Sequence, residues 1–168
     1  MKTIAMCALA LLLTGGTVLA EDRGLSISFS SDDARTEMGS RHDVRDARFA
    51  ITSRDGSTVL MLLDDVVALQ LTDRALEQAE SDTKSKDQNF LEELLSAGVK
   101  LALGKSVEMP IAHIRTIDVR NGALRVINDE NKPVFTEVKV NGTEVLRNFS
   151  SADATRFVNA FQRAQRRR

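Results

Sequence analysis

The stretch Ile114-Arg115-Thr116-Ile117-Asp118-Val119-Arg120-Asn121-Gly122-Ala123-Leu124-Arg125-Val126-Ile127 decides how this chain is read. Ile117 and Val119 alternate with polar residues before Asn121-Gly122, and Leu124 and Val126 alternate after it. Alternation of period two marks strands with one buried face. Asn and Gly both reach positive φ at little cost, and the resulting turn matches the twist of the strands it joins. The stretch therefore predicts an antiparallel hairpin.

Working downstream, a polar loop over 128–133 separates the hairpin from an apolar run over 134–140. Asn141-Gly142 is a second Asn-Gly turn, and 143–149 returns as another run. Together these predict a four-strand antiparallel meander over 115–149. Ser150 then stands as a helix N-cap, with Asp153 three residues on and Phe149 just before it. Phe157, Val158, Phe161 and Ala164 lie on one helical stripe. Three of the chain's seven phenylalanines (Phe149, Phe157 and Phe161) fall here, so this closing helix is expected to plug an open edge of the sheet.

Upstream, 107–110 reads as an edge strand ending at Pro110, with a short apolar connection over 111–114. Phe49 and Ile51 alternate up to Ser53, Arg54-Asp55-Gly56-Ser57 is a turn, and 58–63 is a more fully buried strand. Residues 66–71 fit a third strand, or the start of a helix capped by Asp65; strand followed by helix is the preferred reading. Residues 73–81 are rich in helix formers, and 82–88 is a polar break. A second helix from Asn89 carries Phe90, Leu91, Leu94, Leu95, Ala97, Leu101 and Ala102, and Gly104 stops it. Near the start, 24–30 alternates as a half-buried strand, and 31–46 is a polar arm read as a loop or poorly ordered segment. The expected fold class is α+β: an antiparallel, partly open barrel with a helical insertion over about 73–104 and a C-terminal capping helix. The expected divisions are 1–20, 21–46 as strand and arm, 47–165 as one domain, and 166–168 as a basic tail.

The block from Met109 to Ala164 resembles the second half of bacterial pleckstrin-homology-like domains. The matching features are Met109-Pro110-Ile111, Ile114 and Ile117, the Asn121-Gly122 hairpin, and the capped helix Ser151-Ala152-Asp153-Ala154 with Phe157, Val158 and Phe161. The resemblance implies a scaffold that binds peptides, lipids or other proteins, with no enzymatic activity as a class. The insertion over 73–104 departs from that family's pattern.

The first twenty residues follow the grammar of an export signal. Met1-Lys2-Thr3 is a short basic start, Ile4 to Leu13 an apolar run, and Val18-Leu19-Ala20 a cleavage motif. The run is shorter than the about 20 apolar residues of a membrane span. Cleavage after Ala20 would release a soluble protein, periplasmic if the source is bacterial. The single cysteine, Cys7, lies inside this segment, so no disulfide, Cys-based zinc site or thiol nucleophile is expected in the mature chain.

Charge and motifs narrow the function by exclusion. With 23 basic and 24 acidic residues the chain is near neutral, unlike a dedicated nucleic-acid binder. His42 and His113 show no zinc-binding spacing, and neighbouring carboxylates such as Asp64-Asp65 and Glu92-Glu93 point apart in strand or helix. Ser81-Asp82-Thr83-Lys84 matches Ser-x-x-Lys but lies in a polar connector, and no phosphate-binding glycine loop occurs. No cofactor or metal is therefore expected. Two surfaces remain for contact with other molecules. The apolar stripe of Phe90, Leu91, Leu94, Leu95 and Leu101 suits a protein partner or self-association. Arg163, Arg166, Arg167 and Arg168 suit an anionic lipid surface. The leading expectation is an exported, non-enzymatic binding or assembly module for a protein or peptide. The alternatives are a small exported hydrolase using Asp64, Asp65 and His113, and a membrane-surface protein using the terminal arginines.

Overall fold

The computed structural model describes residues 27–28, 36–78, 104–136, 138–140 and 143–167. Among them the architecture is α+β, with antiparallel sheets and two helices. The strands in chain order are β1 (Ile27–Ser28), β2 (Glu37–Ser40), β3 (Phe49–Thr52), β4 (Thr58–Leu62), β5 (Val66–Leu71), β6 (Lys105–Pro110), β7 (Ile114–Arg120), β8 (Ala123–Asn128), β9 (Pro133–Val134), β10 (Lys139–Val140) and β11 (Thr143–Glu144). Helix α1 spans 73–78 and helix α2 spans Ser151–Gln165. No closed barrel forms among the described residues; the strands divide into three sheets.

The largest sheet has the order β2-β6-β5-β4-β3. Strand β4, between β5 and the end strand β3, is buried along its whole length, as a continuous apolar run demands of a strand covered on both faces. The β3–β4 turn is set by Gly56 at φ 73° and by Asp55. One Asp55 carboxylate oxygen accepts from Ser53 Oγ at 2.6 Å, Ser57 N at 3.0 Å and Ser57 Oγ at 2.8 Å. Residues 66–71 are a strand, and the helix begins only after Thr72, whose Oγ1 accepts from Ala75 N at 3.2 Å. Thr72, not Asp65, supplies that cap.

Three expectations are corrected. Part of the polar arm over 31–46 is ordered: β2 pairs with β6, and Val44–Asp46 is a 3-10 turn capped by Asp43. Pairing with β2 also makes β6 an interior strand, because its other side pairs with β5. Lastly, the four-strand meander does not form. Only β7-β8-β9 are consecutive in one sheet, while β10 and β11 join β1 in another. The expected strand over 134–140 breaks at Phe135, whose φ of 63° turns the chain. Its ring is fully buried, so packing of the aromatic side chain outweighs backbone strain there. The expected strand over 143–149 likewise shortens to two residues before a 3-10 turn, Val145–Arg147.

The β7–β8 hairpin stands as read, with Asn121 at φ 51° and Gly122 at φ 75°. Helix α2 also stands as read. Ser150 Oγ accepts from Asp153 N at 3.1 Å, and Phe157 and Phe161 are fully buried. The helix packs against β7 and β8 of one sheet and β3 and β4 of another, closing the gap between them. Its phenylalanines merge with Leu60, Leu62, Met109, Ile117 and Val126 into one core. The helix expected from Asn89, with Phe90, Leu91, Leu94, Leu95 and Leu101, falls outside the described residues, as do the export segment, Asn141-Gly142 and Arg168.

Candidate functional site

Period-two alternation gives the five-stranded sheet an inner face in the core and a second, outer face. Strand registers align Thr52, Val59, Gln70, Ser106 and Gly39 in one row across the outer face. The next row is Ala50, Met61, Ala68, Glu108 and Glu37. Apolar residues at the β3–β4–β5 end, with Val59, Met61, Leu63 and Ala68, form a second buried cluster. The β6–β2 end is polar.

That polar end holds a clasp. Ser106 Oγ stands 2.8 Å from Ser40 O and 2.5 Å from Glu108 Oε1, so one proton is shared between a carbonyl and a carboxylate. The same Glu108 oxygen lies 2.8 Å from His42 Nε2. Gln70, itself buried, accepts from His42 N at 3.0 Å and donates to His42 O at 2.9 Å. A Cβ on Gly39 would fall 1.6 Å from Glu108 Oε1, so only glycine leaves the carboxylate this space. In this arrangement the acid sits between serine and histidine. A nucleophilic triad instead requires histidine between serine and acid, so that histidine takes the serine proton. The group is built to hold residues 40–42 against β5 and β6.

Held there, residues 41–45 form one wall of a cavity of about 600 Å³ whose floor is Thr52, Val59 and Gln70. Its charges are internally matched. Arg41 pairs with Asp73 at 2.5 Å and donates to Leu71 O at 2.8 Å. Arg45 grips Asp43 through Nε and a terminal nitrogen. The side-chain hydrogen bonds from Arg45, helped by its backbone N–H, bring the Asp43 carboxyl down to about 2. Among the described residues the cavity thus offers a polar lining with no uncompensated arginine, suited to an uncharged extended chain more than to an ion.

Strand β3, which supplies Thr52 to this cavity, ends the sheet. Ser53 N donates to Thr58 O at 2.9 Å, which fixes the pairing parity. Ile51 and Phe49 therefore face β4 with their backbone groups, and Ala50 and Thr52 turn theirs outward. Among the described residues no strand pairs with that outer side. β3 carries no charged residue, whereas β2 at the opposite end begins at Glu37 and is followed by Arg41. Charged residues are a usual guard of an exposed edge, and β3 lacks one.

The residues singled out by sequence are scattered. Asp64 pairs with Arg48 at 2.5 Å, and His113 Nδ1 lies 3.0 Å from Asp129 Oδ2. Asp65 accepts a hydrogen bond from Ile111 N through its backbone carbonyl. No group of three His, Cys, Asp or Glu side chains fit to hold a metal occurs among the described residues. Arg163, Arg166 and Arg167 are exposed at the end of α2. No helix among the described residues is long and apolar enough to cross a membrane.

Sequence reading missed the clasp, because Gln70, Ser106 and Glu108 look unremarkable until register aligns them. The available signal was the alternation of Ser106 and Glu108 with apolar Val107 and Met109. Compared with protein-family models, curated proteins and solved structures, the chain matches none.

Proposed function

We propose that this protein is an exported, non-enzymatic binding module, built on a pleckstrin-homology-like scaffold, that takes an extended segment of a protein partner along strand β3. The single observation behind this reading is the uncharged outer side of β3 beside a cavity of about 600 Å³. An added strand would meet the outward N–H and C=O groups of Ala50 and Thr52, which supply affinity. Alternate side chains of that strand would reach the cavity, which supplies selectivity. The capping of the sheets by α2, which packs against β3, β4, β7 and β8, supports the scaffold reading. The export reading rests on the basic, apolar and small-residue order of positions 1–20.

The test is site-specific photocrosslinking in the native cell envelope, with the photoreactive group at Thr52 and a control at exposed Arg156. Partner capture at Thr52 alone is expected. The captured partner, added to the purified protein, should slow amide exchange at Ala50 and Thr52. Ala50→Pro removes another outward N–H of this edge strand, so it should abolish capture at Thr52 without unfolding the sheet. Equal capture at both positions, or capture at Thr52 that survives Ala50→Pro, would refute strand addition here.

A further inference from the structure

We propose that a second cavity, between the β7–β8 hairpin and the turn after β11, is a binding site for a small amphiphilic monoanion, a carboxylate carried on an aliphatic body. Its volume is about 290 Å³, the liquid volume of about ten waters. Its floor is apolar: Leu124 and Leu146 are buried and Ala123 adjoins them. Among the described residues its rim carries three guanidinium groups, Arg120, Arg125 and Arg147, against one lining carboxylate, Glu144.

The hydrogen bonds show which cations have capacity left. Arg125 spans Asp118, its directly opposite neighbour on β7, with Nε to Oδ1 at 3.0 Å and a terminal nitrogen to Oδ2 at 2.6 Å. Both Asp118 oxygens are thereby used. Arg120 reaches the same carboxylate only through Nε, at 3.7 Å, beyond hydrogen-bond length. Arg147 uses Nε alone, at 2.5 Å from Glu144 Oε2. Among the described residues the terminal amino groups of Arg120 and Arg147 donate no hydrogen bond, and the two side chains are 67% and 65% exposed. Such groups form the planar fork that carboxylates fit. Among the described residues Asp118 and Glu144 offset two of the three arginines, leaving one positive charge. That excess matches a single carboxylate better than a phosphate dianion. The leucine floor gives an aliphatic body a place that a bare ion would leave empty.

The experiment is a titration of the full mature protein with octanoate. It is followed by the Nε resonances of Arg120, Arg125 and Arg147 and the methyl resonances of Leu124 and Leu146. Octan-1-ol and inorganic phosphate serve as comparison probes. Saturable shifts of both sets of resonances are expected with octanoate, and affinity should fall with added salt. Arg120→Gln and Arg147→Gln, both at exposed positions, should each weaken octanoate binding about tenfold, the loss of one charged hydrogen bond. Phosphate shifting the arginines as strongly would reduce the site to a plain basic patch and overturn the proposal. Octan-1-ol binding as tightly would reduce it to an apolar hollow, with the same consequence. Octanoate that fails to saturate in the millimolar range, or binds unchanged in the two variants, also refutes it.

Discussion

Replacing Phe157 by alanine tests whether helix α2 joins the two sheets. Phe157 is fully buried, and its ring centroid lies 6.2 Å from that of Phe49 on β3, with the planes inclined at 54°. Truncating a buried phenylalanine to alanine costs about 3–5 kcal/mol, from lost transfer free energy and the cavity left behind. Against a total stability of about 5–15 kcal/mol for a single domain, that is about a fifth of the margin or more. The midpoint of thermal unfolding should fall by about 10 °C. The tilted ring contact adds about 0.5–1.5 kcal/mol beyond area, so a double-mutant cycle of Phe157→Ala with Phe49→Leu should show coupling of that size. With no Trp or Tyr in the chain, intrinsic fluorescence is a poor reporter, and urea unfolding followed by far-UV circular dichroism is the suitable assay. A cost below about 1 kcal/mol with an unchanged denaturant slope, the behaviour of a surface position, would refute the packing of α2 between the sheets.

Three further outcomes follow from the geometry. Ser150→Ala removes the side-chain acceptor of Asp153 N and should cost about 1 kcal/mol in the same unfolding assay; no measurable change would mean the cap contributes nothing. Burial alone would raise the Asp55 carboxyl, but hydrogen bonds from Ser53, Ser57 and Asn148 outweigh it and hold the group below the usual 3.8. Its stabilisation is therefore present above that value and is lost as pH falls through the lower, folded value. Asp55→Asn should then destabilise at neutral pH and much less in strong acid, and a pH-independent effect would contradict this. Gly39→Ala must drive the Glu108 carboxylate out of the clasp, at about 1–3 kcal/mol. In a Glu108→Ala background that cost should vanish, and its persistence would place the strain elsewhere.

The parts of the fold legible in the sequence are those that short-range chemistry fixes. Asn121-Gly122 specifies a tight hairpin whatever surrounds it, because both residues accept positive φ. Ser150 caps the closing helix through a bond three residues away, and the phenylalanine stripe names the face that is buried. The apolar run over 58–63 required cover on both sides, and β4 is buried throughout. Composition likewise excluded a disulfide, since the chain has one cysteine.

Tertiary structure decided what depends on pairing across long separations. Whether β6 was an edge turned on 37–40, a polar segment with little strand propensity that gains order by pairing with it. The break at Phe135 came from burying one aromatic ring, a demand that local propensity does not encode. The clasp of His42, Gln70, Ser106 and Glu108, and the uncharged edge at β3, exist only because register brings distant residues into rows. Sequence sets the local conformations open to each segment. The partner each strand finds is set by the whole core, because apolar faces on several strands are buried together or not at all.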